Sequence, residues 1–221
     1  MENTDEAGLL REGCRALGLE VGAEAIRDLL LFRDELLKWN DRVNLTSITA
    51  PKEFLEKHLL DSLAVLPEVE GAGTVLDVGA GGGFPGIPLK LARRGLDVTL
   101  VDTVGKKVVF MKNAIARLGL AGGAAGCRAA QVRVEGDPDR EGLKKADLVI
   151  SRAFTDVARW VPLAAKYREE GGRVVAMLGQ AAEGNAIEAA VAGSALKLLS
   201  QRAYRLPWSG AERAALVFGE G

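Results

Sequence analysis

A glycine-rich segment is the strongest chemical signal in the sequence. An apolar run beginning at Val75 leads through Asp77 into Gly79-Ala80-Gly81-Gly82-Gly83-Phe84-Pro85-Gly86. Glycine lets the backbone turn tightly and approach a ligand without collisions from a Cβ atom. The next apolar run ends in a second carboxylate, Asp102. An ionised Asp there can accept hydrogen bonds from both hydroxyls of a ribose, each worth about 1.5–3 kcal/mol.

Several ligands could suit such a loop. The stretch from Gly81 to Gly86 matches G-x-G-x-x-G, which allows a nicotinamide or flavin dinucleotide. However, Asp77 would repel a pyrophosphate, and Pro85 and Pro88 stand where a phosphate-binding helix would offer free N–H groups. A Walker A loop is excluded because no Lys-Ser or Lys-Thr follows. A tight turn that binds nothing remains an alternative. The best match is S-adenosylmethionine, which joins a cationic sulfonium and an amino acid to a ribose and adenine.

The elements around this loop alternate from Gly71 onward. Apolar, β-prone runs predict seven strands: Thr74–Val78, Val98–Asp102, Ala129–Val134, Asp147–Ser151, Arg173–Leu178, Leu196–Tyr204 and Ala214–Phe218. Periodic segments between them predict helices: Ile87–Arg94, Lys106–Leu118, Pro138–Lys144, Val157–Glu169 and Ala182–Ala192. Alternating strands and helices indicate an α/β fold with a parallel sheet covered on both faces.

The last two predicted strands differ from the others. Only Leu206-Pro207-Trp208-Ser209-Gly210 separates them, which is too short for a crossover helix, so we expect them to pair antiparallel. This order is the Rossmann-like, seven-stranded pattern of class I S-adenosylmethionine-dependent methyltransferases, with strand 7 antiparallel. We therefore assign residues 71–221 to such a domain and residues 1–70 to an N-terminal helical extension. Within the extension, one helix is predicted from Ala23 to Trp39 and another from Pro51 to about Leu66, ended by Pro67.

Composition narrows the class of protein. The 221 residues are 48% hydrophobic and 27% charged, which favours a folded domain over disorder. Two cysteines and one histidine are too few for a disulfide framework or a zinc site, so no metal is expected. No apolar run approaches the roughly 18 residues of a membrane span, and the acidic N-terminus is unlike a signal peptide. We expect a cytoplasmic protein without membrane association.

The charge is unevenly distributed. Residues 1–70 hold 8 Lys and Arg against 15 Asp and Glu, whereas residues 71–221 hold 21 against 15. Such an asymmetry can accompany nucleic-acid binding, although chance and solvated helix faces explain it equally well.

Several segments together resemble the ribosomal small-subunit methyltransferase G family, also called glucose-inhibited division protein B. They are Asp77-Val-Gly-Ala-Gly-Gly-Gly-Phe-Pro-Gly-Ile-Pro-Leu89, Val101-Asp102-Thr103-Val104-Gly105-Lys106-Lys107, Ser151-Arg152-Ala153-Phe154, Trp39-Asn40, Asn44-Leu45-Thr46 and His58-Leu-Leu-Asp61-Ser62. The resemblance runs from about residue 30 to 218. It implies a class I methyltransferase fold and methyl transfer from S-adenosylmethionine to N7 of a guanine in 16S ribosomal RNA. The implied partner is the small ribosomal subunit, and we expect the enzyme to be a monomer.

The resemblance also assigns residues to the site. It implies cofactor contacts at Gly79, Phe84, the pair Val134-Glu135 at the end of the third strand, and Arg152. Asp77 and Gly81 join these from the loop itself, and Asp102 is placed on the ribose by analogy with the fold. Arg152 is the candidate catalytic residue, contacting the cofactor and steering or stacking on the guanine. A structural ion pair is the alternative for Arg152, and a solvated loop charge is the alternative for Glu135.

Further residues have weaker signals. Lys106, Lys107 and Arg133, with Lys112 and Arg128, could contact phosphates, although lysines on a surface helix are more often simply solvated. Phe154 could stack on a base or belong to the core. His58 is expected to hold the extension against the core rather than to perform chemistry. Two positions depart from the family: Leu178-Gly179 where Lys-Gly is expected, and Arg213-Ala214 where Arg-His is common.

The predicted chemistry needs few titratable groups. Guanine N7 carries a free lone pair at neutral pH, so its methylation requires no general base. Enzymes that methylate exocyclic amines typically carry Asn/Asp-Pro-Pro-Tyr where this chain has Ser151-Arg152-Ala153-Phe154. Two other functions stay open: a small-molecule methyltransferase of the same fold, favoured by a pI of about 6.0, and a nucleotide-binding protein without catalysis.

Overall fold

The computed structural model describes residues 2–123, 125–152, 156–179, 182 and 184–221, with side chains from Asp5 onward. Its helices are α1 Glu2–Ala16, α2 Ala23–Val43, α3 Pro51–Phe54, α4 Asp61–Leu63, α5 Leu66–Val69, α6 Gly86–Ala92, α7 Gly105–Arg117, α8 Pro138–Glu141, α9 Val157–Ala164 and α10 Gly184–Ser194. A π-helical turn, Leu55–Leu60, joins α3 to α4. The strands are β1 Thr74–Val78, β2 Asp97–Asp102, β3 Cys127–Gln131, β4 Ala146–Arg152, β5 Arg168–Leu178, β6 Lys197–Arg205 and β7 Glu212–Gly219.

The strands form one seven-stranded sheet in the order β3-β2-β1-β4-β5-β7-β6. The first five strands are parallel, and β7 is antiparallel to both β5 and β6. The prediction that the last two strands pair antiparallel is confirmed. Strand order reverses between β1 and β4, so the carboxyl ends of β1, β2 and β4 enclose the crevice where open α/β sheets bind ligands.

Some predicted bounds were wrong. β1 has the predicted ends, but β3 ends at Gln131 rather than Val134. The helix predicted to reach Glu169 ends at Ala164, and Arg168 already belongs to β5. Pro67 does not end the preceding helix, which stops at Leu63. It lies instead in the first turn of α5, where the missing N–H of a proline costs no hydrogen bond.

The N-terminal extension shares a hydrophobic core with one face of the sheet. Phe32 and Leu36 of α2 and Phe54 at the end of α3 are fully buried. They belong to the same apolar cluster as Phe84 after β1 and Phe110 of α7. A second cluster, built around Trp160 and Tyr167, fills the opposite face. In the described part of the chain, no helix combines the length and the apolar character that crossing a membrane requires.

Candidate active site

The glycine loop leaves β1 through left-handed backbone conformations. Gly79, Gly81 and Gly83 have φ values of 73°, 57° and 90°, which side chains with a Cβ rarely adopt. The N–H groups of Gly79 and Ala80 both donate to the Val101 carbonyl, at 2.9 and 3.0 Å. The loop is thereby folded back over the end of β2.

Asp102, the last residue of β2, fastens this loop. Its Oδ2 accepts a hydrogen bond from the Gly81 N–H at 2.9 Å, and its Oδ1 accepts one from the Val104 N–H at 2.8 Å. The side chain is 8% exposed. Because each carboxylate oxygen has two lone pairs, both oxygens keep capacity for a further donor.

A cavity of about 430 Å³ opens beside Asp102. Its walls come from the ends of β1, β2 and β4, the start of α7 and the loop after β3. The lining residues are Val78, Gly79, Val101, Asp102, Thr103, Val104, Lys107, Val132, Arg133, Val134 and Arg152. The structure therefore brings together six residues predicted from the sequence: Gly79, Asp102, Lys107, Arg133, Val134 and Arg152.

Arg152, at the end of β4, connects the cavity to the N-terminal extension. Its Nη1 donates to the Lys57 carbonyl at 3.1 Å and lies 3.5 Å from Asp61 Oδ2. Its Nη2 lies 3.3 Å from His58 Nδ1. The guanidinium also lies over the Phe84 ring, 5.0 Å from the ring centroid. Arg152 thus both borders the cavity and makes the ion pair expected from the structural alternative.

His58 is held on three sides. Its ring stacks on Phe84 with centroids 4.6 Å apart and planes 12° from parallel. Its Nε2 lies 2.7 Å from Thr46 Oγ1. Burial, together with the positive charge of Arg152, lowers the pKa of His58 to about 3. These contacts agree with the predicted role of holding the extension in place, and they leave His58 a poor proton acceptor.

Asp77 lies beneath the loop rather than in the cavity. Its side chain is fully buried, and Oδ2 accepts the Gly86 N–H at 2.8 Å. Oδ1 has no partner among the described residues. Burial raises the pKa of Asp77 to about 7, against the opposing effect of the Gly86 hydrogen bond. Because Asp77 does not line the cavity, it can act on a bound ligand only electrostatically, and only in its ionised form.

Four other predicted residues also lie outside the cavity lining. The Phe84 ring packs against the His58 ring and the Arg152 guanidinium, so only the Phe84 backbone can reach a ligand. Gly81 donates its N–H to Asp102. Glu135 is exposed and lies in a loop, because β3 ends four residues earlier, and Lys106 is exposed on α7. Phe154 lies outside the described residues.

The predicted phosphate contacts separate into two groups. Lys107 and Arg133 border the cavity. Arg128 instead pairs with Asp97 at 2.6 Å, near the start of β2 and so towards the opposite edge of the sheet.

The sequence analysis assigned no role to Asp61. Its buried carboxylate accepts a hydrogen bond from Tyr204 Oη at 3.0 Å and lies near Arg152 and Arg213. Its place in the His58-Leu-Leu-Asp61 motif was the available signal.

Comparisons with known proteins identify relatives over nearly the whole chain. A family model described as "GidB: rRNA small subunit methyltransferase G" matches residues 25–215. The chain is 56% identical over 220 residues to Ribosomal RNA small subunit methyltransferase G of Myxococcus xanthus, with 100% of both chains covered. It is 40% identical over 217 residues to the protein of the same name from a Geobacter species, strain M21, covering 96% of each chain.

Solved structures support the fold. Magnesium protoporphyrin IX methyltransferase from Synechocystis, solved with bound SAM, superposes with a TM-score of 0.62 at 15% identity, covering 88% of this chain and 97% of that one. TrmN from Thermus thermophilus has a TM-score of 0.58 at 14% identity, covering 82% and 53%. At these identities the likeness establishes the class I methyltransferase fold alone. From the family match and the close relatives, the chain belongs to the rRNA small subunit methyltransferase G family.

Proposed function

We propose that this chain transfers a methyl group from S-adenosylmethionine to N7 of a guanine in 16S ribosomal RNA, acting as a monomer in the cytoplasm. The observation that carries the proposal is the cavity at the carboxyl ends of β1, β2 and β4. It brings a glycine loop, the carboxylate of Asp102 and the guanidinium of Arg152 to one place.

The residues present fit the proposed cofactor. Asp102 keeps acceptor capacity for a ribose, and Val104, Val132 and Val134 give apolar surface where an adenine could pack. The unpartnered Oδ1 of Asp77 supplies negative charge beneath the loop once the group ionises, which favours a cationic ligand nearby. When bound, S-adenosylmethionine would supply the methyl group and the positive charge that makes it transferable.

The cavity supports a nucleophile that needs no deprotonation. Among the described lining residues there is no His, Cys or Tyr, and the only carboxylate, Asp102, already accepts two backbone N–H groups. His58 cannot serve as a base because its pKa is lowered to about 3. Guanine N7 fits this setting because its lone pair is free at neutral pH. Catalysis then depends on alignment, with the acceptor held about 3 Å from the methyl group.

Arg152, Lys107 and Arg133 supply positive charge around the cavity. Lys107 and Arg133 suit phosphate contacts, which anchor RNA without reading its sequence. Arg152 lies deeper, at the end of β4, where its guanidinium can stack on or hydrogen-bond a purine.

The test is methyl transfer from labelled S-adenosylmethionine to small ribosomal subunits from a strain that lacks this modification. Label in 16S RNA, at a position that borohydride and aniline cleave, supports the proposal. Asp102→Asn should abolish most of the transfer, and Arg205→Ala, an exposed residue paired with Glu212, is the matched control. Label confined to small metabolites would instead support a small-molecule methyltransferase. Tight binding of S-adenosylhomocysteine without any transfer would support a non-catalytic protein.

A further inference from the structure

The loop between β3 and β4 is tied to one carboxylate, that of Glu141. Glu141 Oε1 accepts the backbone N–H of Glu135 at 2.9 Å and that of Asp137 at 3.1 Å. Tyr167 donates its hydroxyl to the same carboxylate, at 2.8 Å to Oε1 and 2.6 Å to Oε2. The carboxylate therefore holds two segments of chain at once.

Tyr167 completes this arrangement. Its side chain is fully buried in the second core cluster, and its hydroxyl oxygen accepts the Gly136 N–H at 2.6 Å. The three consecutive amides of Glu135, Gly136 and Asp137 are thus all satisfied by Glu141 and Tyr167. We call this pair the loop clamp.

The protonation states of Glu141 and Tyr167 favour the hydrogen bond between them. Although burial opposes it, the hydrogen bonds from Tyr167 and from the loop amides lower the pKa of Glu141 below its ordinary value. Burial and the neighbouring carboxylate raise the pKa of Tyr167 to about 12. Glu141 is therefore an ionised acceptor and Tyr167 a protonated donor throughout the neutral range.

The clamp lies directly after a wall of the cavity. Strand pairing ends where the Val132 N–H donates to the Asp102 carbonyl at 3.2 Å, and residues 132–134 then line the cavity. The next backbone hydrogen bond described along the chain is that of Glu135. The segment 132–134 is therefore held by hydrogen bonds at its two ends, to β2 at Val132 and to the clamp at Glu135.

We propose that Glu141 and Tyr167 are positioning residues that hold residues 132–134 as the wall against which the adenine of the cofactor packs. This inference rests on the proposed function. It assigns to the clamp an effect on cofactor binding and none on the transfer step itself, because neither side chain lines the cavity.

The experiment compares Glu141→Ala, Glu141→Gln and Tyr167→Phe with wild type by calorimetry with S-adenosylhomocysteine. Glu141→Ala should weaken binding about 10-fold. Glu141→Gln keeps an acceptor oxygen and should recover part of that loss. Asp139→Ala, an exposed carboxylate of the same short helix α8, is the matched control and should bind like wild type.

Two further readouts separate positioning from a loss of stability. For Glu141→Ala, KM for S-adenosylmethionine should rise about 10-fold while kcat at saturating cofactor stays near wild type. Val134→Ala should weaken binding in the wild-type background and much less in the Glu141→Ala background, because the wall is already displaced.

The outcomes are distinct. Wild-type affinity in both Glu141→Ala and Tyr167→Phe would overturn the clamp while leaving the proposed function intact. Additive effects of Val134→Ala, or a fall in kcat alone, would also overturn it. If the wild-type chain binds no S-adenosylhomocysteine, the proposed function itself fails, and the clamp with it.

Discussion

Asp77 and His58 are both neutral in the folded chain near pH 5, for the same reason and with opposite consequences. Burial raises the pKa of Asp77 to about 7 and lowers that of His58 to about 3. Relative to the unfolded chain, the folded protein therefore holds one extra proton on Asp77 and lacks one on His58. Between about pH 4.5 and 6 the two differences cancel.

Single variants should expose each effect. In His58→Gln the extra proton on Asp77 is no longer offset, so the slope of the free energy of unfolding against pH should be more negative than that of wild type by about 1.4 kcal/mol per unit. In Asp77→Asn the proton missing from His58 is no longer offset, so the slope should be more positive than that of wild type by about the same amount. Urea denaturation at pH 4.5, 5.25 and 6 measures both. Slopes equal to that of wild type in the two variants would contradict the assigned protonation states.

Arg152 combines a contact with the extension and a place in the cavity wall. We expect Arg152→Ala to reduce kcat by more than it reduces affinity for S-adenosylhomocysteine, because the guanidinium is assigned to the RNA base. Arg152→Lys should not recover kcat, since an ammonium lacks the planar stacking surface. Single-turnover rates and calorimetry measure the two effects. A wild-type kcat in Arg152→Ala would remove this residue from the transfer step.

Among the elements, the π-helical turn at Leu55–Leu60 joins the extension to Arg152 at the end of β4. The Asp61 N–H donates to the carbonyls of Glu56 and His58 and so bypasses that of Lys57. The Lys57 carbonyl instead accepts a hydrogen bond from Arg152. In a regular α-helix the Asp61 N–H would donate to this carbonyl, so the π-helical turn removes one competing donor where the extension contacts the end of β4.

Asp61 makes the same junction with its side chain, and its loss should be costly. Its carboxylate is buried and faces Arg152, Arg213 and Tyr204. Asp61→Asn removes the negative charge that faces the two arginines, and should lower the free energy of unfolding by about 3 kcal/mol. Glu53→Gln, which breaks a more exposed pair with Lys57, should cost at most about 0.5 kcal/mol. Equal losses in the two variants, by urea denaturation, would contradict this role.

The two positions that depart from the family pattern, Leu178 and Ala214, are neighbours in the sheet. Leu178 at the end of β5 and Ala214 in β7 are direct partners across the antiparallel pair. The missing lysine and the missing histidine therefore concern one place in the sheet rather than two. Arg213, next to Ala214, is directed to Asp61.

Across the whole molecule, the acidic first third of the chain forms ion pairs with the basic remainder. Among the described residues, five ion pairs join an acidic side chain of residues 1–70 to an arginine of residues 71–221. They are Asp28–Arg94, Glu35–Arg117, Asp61–Arg152, Glu68–Arg202 and Asp61–Arg213. Part of the basic charge that suggested RNA binding is therefore neutralised by the extension.

The extension should be required for folding. Separating the chain at Gly71 would expose Phe84, Ile87 and Phe110, which are buried against α2, α3 and the π-helical turn. We expect residues 71–221 alone to lack cooperative thermal unfolding and to bind a hydrophobic dye. Co-expression with residues 1–70 should restore cooperative unfolding and abolish the dye binding. A sharp transition near that of the full chain, from residues 71–221 alone, would contradict this expectation.

The sequence by itself determined the order of strands and helices from Gly71 onward and the family. The bounds of β1, the alternation of strands and helices, and the antiparallel last strands follow from short-range patterns of apolar residues and from loop length. The glycine loop was equally legible, because left-handed backbone at Gly79, Gly81 and Gly83 is a local property. The family match covers residues 25–215, a range that includes all the segments quoted for the family resemblance.

Only the tertiary structure decided which predicted residues face the cavity. The Phe84 and Asp77 side chains are buried in the core, and Glu135 is exposed in the loop after β3. Val134 and Arg152, in contrast, line the cavity. Arg152 contacts Lys57 and His58, which are 95 and 94 positions away along the chain. The loop clamp joins residues 26 and 31 positions apart. Such contacts depend on how whole elements pack, and no local pattern of residue types encodes them.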